Sequence, residues 1–431
     1  MKKFILLAIA AITAWYPVAT LCAAASRVFD LLTTPQPRLW AQLNGVNTLT
    51  ALIPDLYQSM DSVAREMAGM IPAVTLNANS DRAAVGSKVR SFVAPAAASE
   101  NATPAQLPPD TGAQVIGTNY LTITKSKVVP FQWTGEEQMQ VAPGHGYRAI
   151  AQDQVSQAIR TLVNEIETDL WLQAVKNSSR AAGAAGTKVF NSGLGDAALV
   201  RRVLADNGAP MNANDMNLVV GTWEGVSLRS QATIPNMADA GSVSLREQGI
   251  LLPMSGFRVR ESAAVTTRVI GTTTATVNAS AYAVGATVLT LSVAANAMVD
   301  GDLFTLAGDS NIYAAVAGGT YGSGGTVVIG APGLRKAIAG AASPAITVIA
   351  IANRNIAFHR SAIQLALRAP AVPEEGDSAD DRTVLTDPRT GISFEFAMYK
   401  QYRRVRYEVG AAWGQEVMKQ DFCAQLIGLT G

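Results

Sequence analysis

The sequence predicts an α+β fold, with one long helix embedded among many short strands, and three observations predict it. Val155, Ala158, Ile159, Leu162, Val163, Ile166, Leu170, Ala174 and Val175 recur three and four apart between residues 146 and 176, which draws an apolar stripe along a helix. From about Thr266 to Ala350 the chain turns Thr/Val/Ala/Gly-rich, with runs of strand length separated by turn signals. Finally, two extended segments, 88–93 and 120–133, flank a Pro- and Ala-rich connection that has no stripe of its own. They read as a long hairpin projecting from the body.

The bounds on function come from composition. At 431 residues the chain is long for a single core, so two or three domains are expected. Lys+Arg number 34 and Asp+Glu 33, so net charge marks neither a nucleic-acid binder nor a membrane-surface binder. Charged residues make up 16% of the chain, against about a quarter in ordinary soluble domains. Much of the surface is therefore expected to end against other protein. Two cysteines, Cys22 and Cys423, make no disulfide framework. With only His145 and His359, a zinc site would have to be completed by carboxylates.

At the amino terminus Lys2-Lys3, an apolar run and Ala23-Ala24-Ala25 have the layout of an export signal. The run is short for a membrane span and is broken at Tyr16-Pro17. An alternative is that residues 1–46 are a mis-assigned leader, with Val46 read as the start. Next, Leu56, Met60, Val63, Met67 and Met70 form a helical stripe that Pro72 ends. In the second hairpin arm, Leu121 and Ile123 alternate with Thr122 and Thr124, and Pro130 restricts the arm to an edge or a bend.

At about 1.5 Å per residue the long helix spans roughly 45 Å. A core helix is the plain reading of its stripe, and a strut is the sharper one. Gln152, Gln157, Arg160, Asn164 and Glu167 are assigned to its other faces. A flexible loop at 178–195 is expected to follow, then a helix over 196–207, a buried strand over 216–221 and a helical turn over 223–229. Met254-Ser255-Gly256 reads as the turn of another hairpin. Within the Thr-rich stretch, strands are expected at 269–277, 287–293, 303–306, 312–316, 326–329 and 345–349, forming a small antiparallel barrel or sandwich inserted in another domain. In the closing part 355–361 and 362–368 resume the style of the first domain, 370–387 is an acidic loop, 392–398 and 402–408 alternate as strands, and Gly414 turns the chain.

No constellation commits the chain to catalysis. Glu165 and Asp169, four apart on one helix, read as exposed carboxylates rather than an acid pair. Glu136, Glu137 and His145 fall in a turn-rich link, where structural roles are the default. The Gly-rich run 318–325 leads into a strand, so no helix dipole awaits a phosphate. Ser361 near His359 has no acid in sequence reach, and the acidic run 374–381 lacks calcium-loop spacing. Catalytic, cofactor and metal sites are accordingly expected to be none.

The order of parts resembles the major capsid proteins of tailed bacteriophages, of the Hong Kong type, and in particular the short-tailed-phage coat proteins with an inserted β-barrel. LTALIPDLYQSMDSVAREM and GSKVRSFVAPAAA resemble the amino-terminal arm and first hairpin strand; IGTNYLTITKSKVVPFQWTGEEQ resembles the second strand and the entry to the spine helix. GDLFTLAGDSNIYAAV is similar to the inserted domain, NIAFHRSAIQLALRAP to the return from it, and YRRVRYEVGAAWGQEVMKQDFCAQLIG to the closing strand. The resemblance runs from about residue 47 to the end. It implies an arm over 47–82, an extended E-loop hairpin over 83–135, a spine helix and core of mixed P- and A-domains over 136–265, an inserted β-barrel over 266–352, and the A- and P-domain return over 353–431.

The function so implied is structural: self-assembly through hexamers and pentamers into an icosahedral shell around phage DNA. The implied partners are copies of itself, scaffolding, portal or decoration proteins, and packaged double-stranded DNA touched without sequence readout; no membrane or cofactor is implied. The implied place is the virion, assembled in host cytoplasm, with which the signal-like start conflicts. Within the hairpin, Arg90, Lys125 and Lys127 are expected to meet acids such as Glu136 or Glu137 of a neighbouring subunit. The rival reading is an exported β-rich surface or adhesion protein.

Overall fold

The computed structural model describes residues 68–93, 117–140, 145–191, 193–230, 251, 253–268, 274–295, 298–386 and 392–429. The expected helix over 56–70, the connection 94–116 and the leader 1–46 lie outside them, apart from residues 68–70. In chain order the elements begin with β1 (Thr75–Ala83), β2 (Lys88–Val93), β3 (Gly117–Thr122), β4 (Lys125–Thr134), α1 (Gly135–Gln140) and α2 (His145–Lys176). Then come β5 (Arg180–Gly183), α3 (Gly195–Asp206), β6 (Met216–Val220), α4 (Thr222–Arg229), β7 (Arg258–Glu261), β8 (Thr274–Val277), β9 (Val288–Ala295), β10 (Leu303–Leu306), β11 (Ile312–Thr320), β12 (Thr326–Ile329) and β13 (Ala345–Val348). The chain closes with β14 (Arg354–His359), β15 (Ile363–Pro370), β16 (Asp381–Thr386), β17 (Ser393–Gln401), β18 (Arg404–Val417) and β19 (Cys423–Ile427).

The described chain is a strand-rich mixture of α and β. It divides into two compact units, Met1–Gly45 with Gly135–Ile150, and Val46–Thr134 with Ala151–Gly431. In the smaller unit the described residues are α1 and the opening of α2, and Glu136 and Glu137 occupy the first turn of α1. Carboxylates suit that end of a helix dipole.

The larger unit is organised by α2 from Ala151 onward. Val155, Leu162, Ile166, Leu170 and Val175 are each at most 1% exposed. They share one core with Phe394, Phe396, Tyr407, Val409 and Trp413 of β17 and β18 and with Ile363 and Leu365 of β15. The sheet behind this core has the order β1-β15-β18-β17-β16, and β4 pairs with β18. Pro130 sits in β4 opposite Glu408. Because β4 pairs with β18 alone, the missing N–H of Pro130 falls in an edge strand.

A second sheet begins β5-β19-β14-β6-β7. All six residues of β14 and all five of β19 are buried, as strands covered on both faces must be. α3 turns Ala197, Val200, Val203 and Leu204 into the core formed with Leu218, Val220 and Leu426. At its C-terminal end Arg180 donates to Val203 O and to the Asn207 side-chain Oδ1, tying β5 to the end of the helix. β5 also pairs with β11. From there six antiparallel strands run β11-β12-β9-β8-β13-β10, and β10 pairs back to β11. This ring closes on its own apolar interior, with Val277, Leu289, Leu291, Phe304, Tyr313, Val327 and Ile329 each at most 1% exposed.

Five expectations are corrected. Gly414 does not turn the chain: it lies inside the 14-residue β18. A Cβ at Gly414 would stand 2.1 Å from Thr122 O, so glycine serves close backbone approach there, not a bend. The second hairpin arm is two strands, β3 and β4, which join different sheets. The loop after α2 contains β5, whose Arg180, Ala181 and Ala182 are buried. Ser255-Gly256 turns within a single Met254–Phe257 bridge, and β7 beyond it pairs parallel with β6 rather than forming a hairpin. His145 opens α2 rather than lying in a link before it.

Candidate functional site

The region where β2, β3 and β4 meet α2 and β18 holds Arg90, Lys125, Lys127, Glu165 and Asp169. β2 and β3 pair antiparallel, with Val89 opposite Leu121 and Arg90 opposite Tyr120. Alternation sends Val89 and Leu121 into a small core with Ala83, Ile123, Ala366 and Ala412. On the other face Lys88 and Arg90 are exposed, and Tyr120 is 50% exposed. Lys88 Nζ stands 5.6 Å from the Tyr120 ring centre, within reach of a cation–π contact. In the strand pairings β2 and β3 form a two-stranded sheet of their own.

At its root this ribbon is tied to the body. Ile123 N–H donates to Ser87 O at 2.9 Å and Thr124 N–H to Trp413 O at 3.0 Å. Immediately beyond, Lys125 Nζ lies 2.9 Å from Glu165 Oε1 and 2.8 Å from Asp169 Oδ2. Lys127 Nζ reaches the same Glu165 Oε1 at 2.5 Å. Trp413 Nε1 donates to Asp169 Oδ2 at 3.0 Å. One polar junction thus links β4, α2 and β18. Burial by itself would push the Lys125 ammonium down, but its bonds to Asp169 and Glu165 hold it above its ordinary value. Burial likewise works to raise Glu165, yet Lys127 and Lys125 hold its carboxyl below the usual range.

Glu165 and Asp169 are therefore partly buried ion-pair partners rather than an exposed pair. Lys125 and Lys127 already have carboxylate partners in their own chain, where acids such as Glu136 or Glu137 of another subunit were expected. Arg90 stands on the exposed face of the ribbon, and Glu136 and Glu137 are exposed on α1.

Sequence reasoning missed Glu167, which was assigned to an outer face. It is 3% exposed. Its carboxylate accepts the N–H groups of Met70 at 2.6 Å and Ile71 at 2.9 Å and the Ser262 hydroxyl at 2.6 Å. Those N–H groups belong to the start of the 3-10 turn Ile71–Ala73, where a helix leaves donors unsatisfied. Burial raises the Glu167 carboxyl above its ordinary range, against the pull of these donors. The signal was available: Glu167 lies four beyond Val163 and three before Leu170, on the apolar stripe itself.

His359 and Ser361 do meet, with Nδ1 and Oγ 2.8 Å apart. The same Nδ1 also accepts the Ser361 N–H, so the imidazole caps a 3-10 turn, Arg360–Ala362. Cys423 is fully buried, and burial pushes its thiol up to about 12, far from a reactive thiolate. Among the described residues no group of three or more His, Cys, Asp or Glu is arranged to hold a metal. Among them, too, no helix is long and apolar enough to cross a membrane.

No protein-family model and no curated protein matches the chain. Among solved structures it is similar to the capsid of cyanophage P-SCSP1u, at 12% identity and a TM-score of 0.43, over 86% of this chain and 90% of that one. It is similar to the mature capsid of bacteriophage PhiM1 at 12% identity and a TM-score of 0.40, over 84% and 86%. A virus-like particle from Pyrococcus furiosus aligns at 9% identity and a TM-score of 0.41, over 88% of this chain and all of that one.

Proposed function

We propose that the chain is a shell-forming structural subunit, a phage major capsid protein that polymerises around packaged DNA. The observation that carries this reading is the β2–β3 ribbon. It is a two-stranded sheet with one face spent on its own root and the other offering Lys88, Arg90 and Tyr120 to the outside. An isolated two-stranded ribbon is marginal in water, so it gains its worth by lying on something else. A second copy of the chain is the partner that a subunit with 16% charged residues is made for.

On this reading the ribbon is the E-loop, α2 is the spine helix, and the closed ring between β7 and β14 is the inserted barrel. The polar junction at Lys125 and Lys127 sets the angle of the ribbon, and the ribbon beyond it makes the contact between subunits. Hexamers and pentamers of such subunits would close the lattice, with scaffolding, portal or decoration proteins as further partners and the host cytoplasm as the place of assembly. A near-neutral wall suits DNA that is enclosed rather than read.

Expression of the full chain followed by negative-stain imaging tests the proposal. Shells, or rings of five and six, are expected. A protein that remains a discrete monomer at all accessible concentrations would overturn it.

A further inference from the structure

One end of the first sheet carries two charged features of opposite sign, side by side. The two-residue turn Tyr402-Arg403 joins β17 to β18, with Gln401 opposite Arg404. Tyr402 is 91% exposed, the most exposed of the large hydrophobic side chains described. Around it stand Lys400, Arg403 and Arg404, all exposed. Arg404 Nε donates to Gln401, and Arg406 is spent on Glu408 at 2.5 Å.

The acidic loop 373–380 is fastened beside this tip. Tyr399 donates to Asp377 at 2.8 Å, Lys400 N–H donates to Asp380 at 2.9 Å, and Asp380 N–H donates to Met398 O at 2.9 Å. The loop's inner carboxylates are therefore used: Asp377 by Tyr399 and Arg382, and Asp380 by Lys400, whose Nζ is 3.9 Å away. Its outer ones are not. Among the described residues neither Glu374 and Glu375 nor Arg403 has an ion-pair partner, and all three are exposed.

We infer that this sheet end is an assembly contact, in which the Tyr402–Arg404 tip of one copy docks on the Glu374-Glu375 loop of the next. The tip and the loop are held by the same sheet, and among the described residues no ion pair joins Arg403 to Glu374 or Glu375 within one chain. Unpaired cations and unpaired anions on one surface are complementary to the same surface of another copy. A Tyr and two Arg are also the side chains enriched where protein interfaces hold most of their energy. A nucleic acid is the poorer occupant, because its phosphates would have to approach Arg403 past the carboxylates of the neighbouring loop. This contact is separate from the β2–β3 ribbon. It rests on the shell reading only in that the partner is a second copy.

The test uses the full chain in three forms: Arg403→Glu with Arg404→Glu, Glu374→Lys with Glu375→Lys, and the two pairs combined. Each is followed by sedimentation velocity at low and high salt, with a thermal melt to establish folding. Each single reversal is expected to melt as wild type does but to need at least about tenfold more protein to associate, and the combination to recover most of the loss. Equal association in the Arg403/Arg404 reversal, or no recovery in the combination, overturns the inference and leaves the shell reading standing. The same holds if that reversal assembles normally but loses retention of double-stranded DNA, which would make the tip a phosphate contact. A wild-type protein that never self-associates overturns both readings.

Discussion

The sheet wrapped on α2 and the ring of six strands solve one problem in opposite ways. Strands of the first sheet bury Phe394, Phe396, Tyr407 and Trp413 against a helix 32 residues long. Strands of the ring bury Leu289, Leu291, Phe304 and Val327 against one another, with no helix. Closure removes edges, so the ring carries its own core, whereas the sheet is only as stable as the helix it leans on. The ring joins the body at the second sheet, not the first: β5 pairs with β11 through Arg180 and Ala181, and Leu303 and Ala314 of the ring pack with Ala181 and Ile427. Damage to the α2 core should therefore spread, and damage to the ring should stay where it is.

The largest effect should come from Trp413→Ala. Trp413 is fully buried and its indole N–H serves Asp169. A loss of about 3–5 kcal/mol is expected, read as a lower urea midpoint with a single transition seen by both helical and strand signals. Leu291→Ala, inside the ring, removes about 2–5 kcal/mol from that unit alone. Hydrogen exchange should then quicken across β8–β13 while the amides of α2 keep their protection. If α2 amides quicken equally, the two regions form one cooperative unit and the contrast fails.

Glu167→Gln is expected to cost about 1–3 kcal/mol, because an amide cannot accept from Met70, Ile71 and Ser262 without turning its own N–H₂ toward a donor. Loss of protection confined to residues 70–75 would mark Glu167 as a local clasp; loss along α2 would mark it as part of the spine. A smaller effect follows pH. Burial lowers the basicity of His359, so the folded state takes up its proton at lower pH than the unfolded chain does. Its contribution is full above the unfolded value of about 6.5 and is lost as pH falls through the folded one. The urea midpoint of wild type should drop over that interval more than that of His359→Asn, whose amide oxygen can still accept the Ser361 N–H.

How far the sequence reached follows the same division. Ring strands were legible to the residue where turns bound them: 303–306 and 326–329 match β10 and β12, each bracketed by Asp-Gly or Gly-rich turns. The stripe of α2 was equally plain. What escaped were residues whose role is set by a distant segment. Ala181 and Ala182 have no strand propensity of note, yet they form β5 because β11 and β19 lie on either side. Gly414 looked like a turn and instead makes room for Thr122 O. Glu167 was placed outside by its charge, and Asp169 by its spacing from Glu165, because the donors that hold them lie tens or hundreds of residues away. The acidic run at 374–381 read as a solvated loop, and its inner carboxylates are tied to β16 and β17.

The smallest expected effect is the one that most sharpens the role of the ribbon's root. Lys127 is 49% exposed and touches Glu165 alone, whereas Lys125 is 35% exposed and touches both Glu165 and Asp169, with the Trp413 ring centre 5.9 Å from its Nζ. An exposed ion pair is worth about 0–1 kcal/mol, and removal of Lys127 still leaves Glu165 with Lys125. Lys127→Ala should therefore shift stability by less than Lys125→Ala, and the smaller shift should shrink more in about 1 M salt, because salt screens exposed charges more than partly buried ones. The larger shift should persist in part, because loss of Lys125 leaves Asp169 and Glu165 facing each other beside a buried indole. A double-mutant cycle between Lys125 and Asp169 measures the coupling directly. Coupling indistinguishable from that of Lys127 with Glu165 would make this junction ordinary surface charge, and the angle of the β2–β3 ribbon would then have to be set by the small apolar core at its root.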